Sequence, residues 1–432
     1  MPWGCIRMVT SKVWRQGLKF TLIVPASRAG YLLLVLCLAR VYGARGIADQ
    51  VFLAAGMVAL VSMGMAVVID AIAIPTLYRM QNLRDQEIFI ADFTRKVLFW
   101  AGLGAVLALA AFVMWMHAHQ RRLSPSVMAL VLLPLISASA ALYSARWVVR
   151  GAIVRPQLGH VLASMVCIPG VFILPPSAPS VVLIMLAYEL LRWWLSRTLF
   201  SLAAPLQVAD ASPTSISTSL DESQRGALEL QVLSYFIASL PFLIGLLSAS
   251  AISPGSISML SYLNRLWSAC VLMFSGFLLY VLTWFQRAER RRLQSVDRLA
   301  GLSLLVGLAV IPGLVLVCWV LSNFWFDRSV WSESQKTLWM QAVPIYFMAI
   351  PAYLSGMIYV RAANAQHRHW PIFWASCACL GTYAGVLFWP AKLSFSALAW
   401  AHLGGQYAQM LVLFIAARPC FENSWGSADK HR

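Results

Sequence analysis

PASRAGYLLLVLCLARVYGARGIADQVFLAAGMVALVSMGMAVVIDAIAIPTLYR, residues 25–79, decides how the rest of the chain is read. It consists of two long apolar runs joined by the short polar turn GARGIAD, residues 43–49. Charges stand where a bilayer-spanning helix should carry none. Arg28 lies deep in the first run, Asp70 lies in the second, and Arg40, Arg45 and Asp49 crowd the turn. A guanidinium at mid-bilayer depth costs from about 2.5 kcal/mol upwards, so such residues face a wet cavity or a partner. The expectation is that these helices line a polar cavity inside a membrane.

Composition supports that setting. Of 432 residues, 60% are hydrophobic and 11% are charged, which leaves too little polar surface for a water-soluble protein of this size. The expected class is an all-α polytopic membrane protein, with 18 Trp available for interfacial anchoring and packing. The net charge of +17 does not point to nucleic acid, because the basic residues fall in short loops between apolar runs. The first apolar run is too long, and too close to a second, to read as a cleaved signal peptide.

Twelve apolar runs are long enough to span, at about 20 residues each. Their approximate bounds are 18–43, 47–77, 97–118, 125–149, 157–175, 179–203, 228–252, 257–285, 299–325, 338–361, 371–390 and 393–417. The longest polar connector is the Ser/Thr/Asp-rich stretch 205–227, which has no periodicity and reads as a linker. It divides the chain into an N-terminal lobe, 1–204, and a C-terminal lobe, 228–432, of six helices each. Transporters are often built from such halves, with the substrate site between them. Basic residues number 23 on the side of the termini and the linker and six on the other side. By the positive-inside rule both termini and the linker are expected in the cytoplasm.

Chemistry-bearing motifs are few. Cys377 and Cys379 are two apart, on different helix faces, and His117/His119 and His367/His369 are also two apart. No metal, cofactor or disulfide framework is expected from the spacing of the eight Cys. The chain shows no phosphate-binding Gly loop and no nucleophile–base arrangement, which disfavours an enzyme. Transport would then draw on an ion gradient, on the membrane potential, or on consumption of the substrate on the far side.

The deep arginines are the candidate binding residues. Arg28 sits about nine residues into the first run, roughly 13 Å deep, too far for easy snorkelling. Arg265, in SYLNRL (residues 261–266), is its counterpart in the second half at roughly 15 Å, with Tyr262 and Asn264 beside it. Guanidinium forks match phosphate oxygens, so one deep Arg from each half fits an anionic phosphate or pyrophosphate. Arg28 has a structural alternative, an ion pair with Asp70. Asp49 is either the N-cap of its own helix or a cavity carboxylate paired with Arg40 or Arg28. Asp70 and Arg40 are candidate partners in a gate or a structural ion pair. Glu189 and Arg192 read as a helix-surface pair at i, i+3. The internal prolines, among them Pro169, Pro241, Pro312, Pro344 and Pro351, are bending points or packing kinks.

SRAGYLLLVLCLARVYGARGIADQVFLA (27–54) resembles the opening of the bacterial lipid II flippases, the MurJ/MviN family of the MOP exporter superfamily. The matching positions are Ser27-Arg28, the Arg40-Val41-Tyr42-Gly43 turn, and Asp49. ISPGSISMLSYLNRL (252–266) resembles that family's Gly-Ser-Ile-Ser…Tyr-Ala-x-Arg-Leu stretch, with Arg265 on its Arg. RAANAQHRHWPI (361–372) resembles the stretch after helix 10. The resemblance implies two six-helix lobes around a V-shaped cavity with alternating access, in the bacterial inner membrane. It implies that Arg28, Asp49 and Arg265 handle a lipid-linked pyrophosphate. Two further family arginines fall here at Leu34 and near Ser62, and the family carries two helices beyond the twelve counted. The related Wzx-type flippases have twelve and move other undecaprenyl-linked oligosaccharides. The expected function is therefore a flippase for an undecaprenyl-linked glycan. Its expected partners are that lipid, the bilayer and other envelope-glycan assembly proteins. The rival readings are a MATE-type cation or drug antiporter and a membrane glycosyltransferase or polymerase of polysaccharide assembly.

Overall fold

Each apolar run closes its backbone hydrogen bonds within itself, as a hydrocarbon environment demands. The result, in a computed structural model, is a helical bundle. The structure describes residues 29–44, 46–69, 73, 77, 83–119, 124–149, 154–201, 222–274, 293–326, 330–365, 368–389 and 393–422. The helices are α1 (Ala29–Tyr42), α2 (Gly46–Val68), α3 (Leu83–Ala118), α4 (Leu132–Val149, entered by a 3₁₀ turn Pro125–Val131), α5 (Val154–Ile173) and α6 (Ala178–Ser201). The second half contributes α7 (Glu222–Ala249), α8 (Ser256–Met273), α9 (Leu293–Val320, ending in a π turn Leu321–Trp325), α10 (Glu333–Phe347 and Ala349–Ala365), α11 (Trp370–Phe388) and α12 (Phe395–Glu422). Among the described residues each of the twelve predicted runs is represented by a helix. Seven spans among the described residues are long and apolar enough to cross a membrane by themselves; α1, α2 and α5 appear as shorter apolar helices.

Several helices start or end five or more residues from the predicted bounds, α3 among them, and α10 carries an internal break that the sequence reading did not give. The third apolar run opens near 97, but α3 begins at Leu83. Its charged first turns contain no helix breaker, and Lys96 pairs with Asp92 at 2.7 Å one turn back. The tenth span is interrupted at Met348, whose N–H reaches back to the Pro344 carbonyl at 3.0 Å. Pro351, just beyond, packs on α9 where Gly307 leaves no room for a side chain. Pro351 is thus a packing contact of α9 and α10. The linker 205–227, except for the start of α7 at its end, lies outside the described residues, as do Arg28, Arg45 and Asp70.

Contacts follow the halves. In the first half α2 packs on α3, α4 and α6, and α5 packs on α6; in the second α9 packs on α10, and α11 and α12 pack on each other. Between halves α2 meets α7 and α8. The buried apolar residues are distributed accordingly. One large core, from Leu34 and Phe52 through Tyr262 and Trp331 to Leu398, is shared by both halves at the end of the bundle where α1 turns into α2. At the other end the core divides. Ile69, Val97, Ala101 and Leu142 form a cluster of the first half, and Val296, Ile358, Ile372 and Leu413 one of the second. Among the described residues, two lobes joined at one end and separately packed at the other make a V. Outward faces are apolar: α9 exposes Leu305, Leu316, Val317 and Trp319, as a lipid-facing helix should.

Candidate binding site at the lobe seam

α8 is the element that organises the seam, because its two faces serve different lobes. Ser258, Tyr262 and Arg265 recur at helical spacing and meet α1 and α2. Asn264 and Trp267 face α10 and α12: Tyr346 donates to Asn264 Oδ1 at 3.2 Å, and Trp267 packs edge-on to His402 at 5.0 Å.

The start of α8 explains Asp49. The first intrahelical bond runs from Met259 N–H to the Gly255 carbonyl at 3.0 Å, which makes Gly255 the N-cap. Glycine has no side chain to cap with. It is required there because its φ is +91° and because a Cβ would run into the Ala44 carbonyl of the α1–α2 turn. The missing cap comes from the opposite lobe. Asp49 accepts from Gly255 N–H at 2.6 Å, from Ser258 N–H at 2.8 Å and from Ser258 Oγ at 2.6 Å. Its side chain is buried, at 4% exposure. A carboxylate on the orphan N–H groups of a helix start is also favoured by the helix dipole. The sequence offered Asp49 as a cap of α2 or as a partner of Arg40 or Arg28. It lies in the first turn of α2 and caps α8, and a pairing with Arg28 lies outside the described residues.

Around this cap the α1–α2 end is closed by a ring of cross-lobe bonds. Tyr262 Oη donates to the Gly43 carbonyl (3.3 Å), Gln335 Nε2 to Ala44 (2.9 Å), Trp331 Nε1 to Ala39 (2.7 Å) and Trp325 Nε1 to Leu36 (3.0 Å). The carbonyl acceptors at Leu36 and Ala39 lie in the final turns of α1. Phe326 stacks on the Trp331 ring, and Trp339 packs edge-on to both. Arg40, a proposed gate cation, lies over the Trp325 ring at 4.7 Å and is exposed. Its pairing with Asp70 lies outside the described residues.

Deeper by roughly 10 Å along α8 stands Arg265. Its Nη1 donates to Tyr31 Oη at 2.9 Å, and its guanidinium lies over the Phe52 ring at 5.1 Å. Among the described residues no carboxylate pairs with it. Tyr31 in turn packs on Tyr188 (5.2 Å), whose hydroxyl bonds His160 Nδ1 at 2.7 Å. Among the described residues Arg265 is therefore a part-buried cation between the lobes with no ionic partner, and Tyr31 takes one of its five N–H donors. Glu189 and Arg192 do pair, as the spacing predicted, but not on a solvated surface. Their side chains are 21% and 15% exposed, and Arg192 also reaches Ser137 of α4 at 3.2 Å.

No protein-family model and no curated protein matches the chain. Solved structures do match, over nearly its whole length. A lipid II flippase MurJ in an inward closed conformation superposes with a TM-score of 0.71 at 12% identity, covering 93% of this chain and 87% of the other. The chain therefore shares its fold with that flippase. The MATE transporter VcmN of Vibrio cholerae shares it at a TM-score of 0.59 and 13% identity, covering 95% of this chain and 97% of the other. A eukaryotic MATE transporter does so at 0.56 and 14%, covering 95% and 99%. Within this fold, the segments 27–54 and 252–266 that carried the sequence resemblance meet each other through Asp49–Ser258 and Tyr262–Gly43. The third segment, 361–372, lies at the opposite end of α10.

The geometry makes a prediction at Gly255. Gly255→Ala is expected to weaken closure of the α1–α2 end, because the new methyl has to displace Ala44. A positive φ adds roughly 1 kcal/mol of strain for an L-residue. The melting midpoint of the purified variant checks this, and a midpoint equal to wild type would count against so close an approach.

Proposed function

We propose that the chain is a flippase that carries an undecaprenyl-pyrophosphate-linked glycan across the bacterial inner membrane by alternating access between the lobes. One observation carries the choice of an anionic ligand. At the seam the part-buried Arg265 guanidinium has no carboxylate partner among the described residues, while the Asp49 carboxylate accepts from donors at the start of α8. A site for a cationic drug would present the reverse. Arg28, three residues before Tyr31 in the sequence, is the proposed second phosphate ligand. Asp49 is then a group that binds or releases α8 as the cavity changes its open side. The V that is joined at the α1–α2 end is one of the two states such a cycle requires. Arg40 and Asp70 stand as gate residues in this reading.

The measurement that separates this from a MATE-type antiporter is ligand stabilisation of the purified protein. Undecaprenyl pyrophosphate carrying a glycan is expected to raise the melting midpoint, and lipophilic cations are not. Stabilisation by the cations alone would favour the antiporter. Orientation follows from the 23-to-6 split of basic residues. Reporter fusions at Ser424 and within 210–225 are expected on the cytoplasmic side, and those near Ser124 and Ser332 on the far side. A 210–225 fusion reporting from outside would overturn both the assigned orientation and the division into lobes at 205–227.

A further inference from the structure

We propose that Tyr31 is a positioning residue of the anion site, holding the Arg265 guanidinium with its fork turned into the space between the lobes. This rests on the reading of Arg265 as a phosphate ligand. Arginine has many rotamers and a planar fork, so its value as a ligand depends on how well that fork is fixed in advance. Two contacts fix it here. The Phe52 ring of α2 lies under the guanidinium at 5.1 Å, and Tyr31 Oη of α1 accepts from Nη1 at 2.9 Å. That bond takes one of the five N–H donors of a guanidinium. Tyr31 brings no charge of its own, so it orients the cation without neutralising it, as a carboxylate in the same place would.

Tyr31 is itself fixed from behind. Its ring packs on Tyr188 at 5.2 Å, and the Tyr188 hydroxyl is tied to His160 Nδ1 at 2.7 Å. α1 sits close against α5 at this level, since a Cβ on Gly30 would reach Ser164 at 3.4 Å. The acceptor is thus part of the packed first lobe, while the arginine it orients belongs to the second. Read along the sequence alone, Tyr31 is one more apolar-run residue in GYLLLV.

The test is a double-mutant cycle on the full chain in nanodiscs, with undecaprenyl pyrophosphate as the probe. Tyr31→Phe keeps the ring on Tyr188 and removes only the acceptor. It is expected to weaken binding by about threefold to tenfold with the melting midpoint unchanged. In the Arg265→Ala background the same change is expected to have no further effect. Binding by Tyr31→Phe at wild-type strength, or an equal loss with and without Arg265, overturns the proposal. Should Tyr31→Phe melt early, Tyr31→His, a ring with an acceptor, is compared with Tyr31→Leu. The His variant is expected to bind tighter, and equal binding overturns the proposal. If Arg265→Ala alone binds like wild type, the phosphate-ligand reading falls and takes this one with it. If Arg265→Ala fails to bind while Tyr31→Phe binds normally, only the role of Tyr31 is lost.

Discussion

Arg265→Ala is expected to lose about tenfold or more in affinity for an undecaprenyl-pyrophosphate glycan while remaining folded. A hydrogen bond to a charged group is worth about 1.5–3 kcal/mol, and about 1.4 kcal/mol is a factor of ten. The protein loses less than the ligand does. Among the described residues Arg265 makes one hydrogen bond, to the Tyr31 hydroxyl, and one ring contact. Its removal costs stability of the order of 1 kcal/mol. Arg265→Lys keeps the charge but not the bidentate fork and is expected to fall between wild type and Ala. Arg28→Ala is expected to act in the same direction. Titration of the lipid against purified variants, beside their melting curves, checks the pattern. A folded Arg265→Ala protein with unchanged lipid affinity would remove Arg265 from the head-group site.

Asp49→Ala is expected to open the α1–α2 end. It removes an acceptor shared by two backbone N–H groups and one hydroxyl, and it leaves the start of α8 without a cap. Bonds to a buried carboxylate of about 1.5–3 kcal/mol each make a shift of about 3 kcal/mol a low figure, more than a hundredfold in the closed-to-open ratio. Asp49→Asn is a sharper case. Asn caps its own helix almost as well as Asp, so a cap of α2 would tolerate it. At the seam its amide N–H₂ would face the N–H groups of α8, and one oxygen cannot replace two. Both variants are therefore expected to impair transport. Labelling of a cysteine at Ala48, 2% exposed beside Asp49, reads the closure directly. It is expected to be protected in the parent and reactive in Asp49→Ala. Protection in both would mean that the closed end does not depend on Asp49.

Much of the fold was legible because hydrocarbon imposes a simple rule. Twelve apolar runs of spanning length, with basic loops on one side, leave few arrangements other than a polytopic helical bundle. Helix ends were legible only where charge or proline marked them. The start of α3 was hidden because Asp92 and Lys96 continue a helix as readily as they leave a membrane. The site was legible by half. Arg265 is a charge at forbidden depth, which sequence shows plainly. Asp49 showed its charge but not its partner, since its capped helix lies more than two hundred residues away. The signal that could have joined them was the helix start SPGSIS, where a glycine stands in place of a capping side chain and calls for a cap from elsewhere. Tyr31 carried no signal, because a tyrosine in an apolar run reads as packing, and Trp331 and Gln335 carried none, because nothing in the connector between two apolar runs names the turn it meets. The burial of Glu189 and Arg192 was hidden for the same reason: their spacing gives the pair, and only the neighbouring α4 places Ser137 against it.

The central claim is most directly tested by translocation of a labelled undecaprenyl-pyrophosphate glycan in proteoliposomes containing only the purified chain. The labelled glycan lipid is placed in the leaflet corresponding to the cytoplasmic side, and its appearance in the other leaflet is followed with and without a membrane potential or cation gradient. Wild type is expected to move the lipid under at least one of these conditions, Arg265→Ala and Asp49→Ala are expected not to, and a lipophilic cation is expected to stay where it was loaded. Export of the cation with no movement of the glycan lipid would contradict the account.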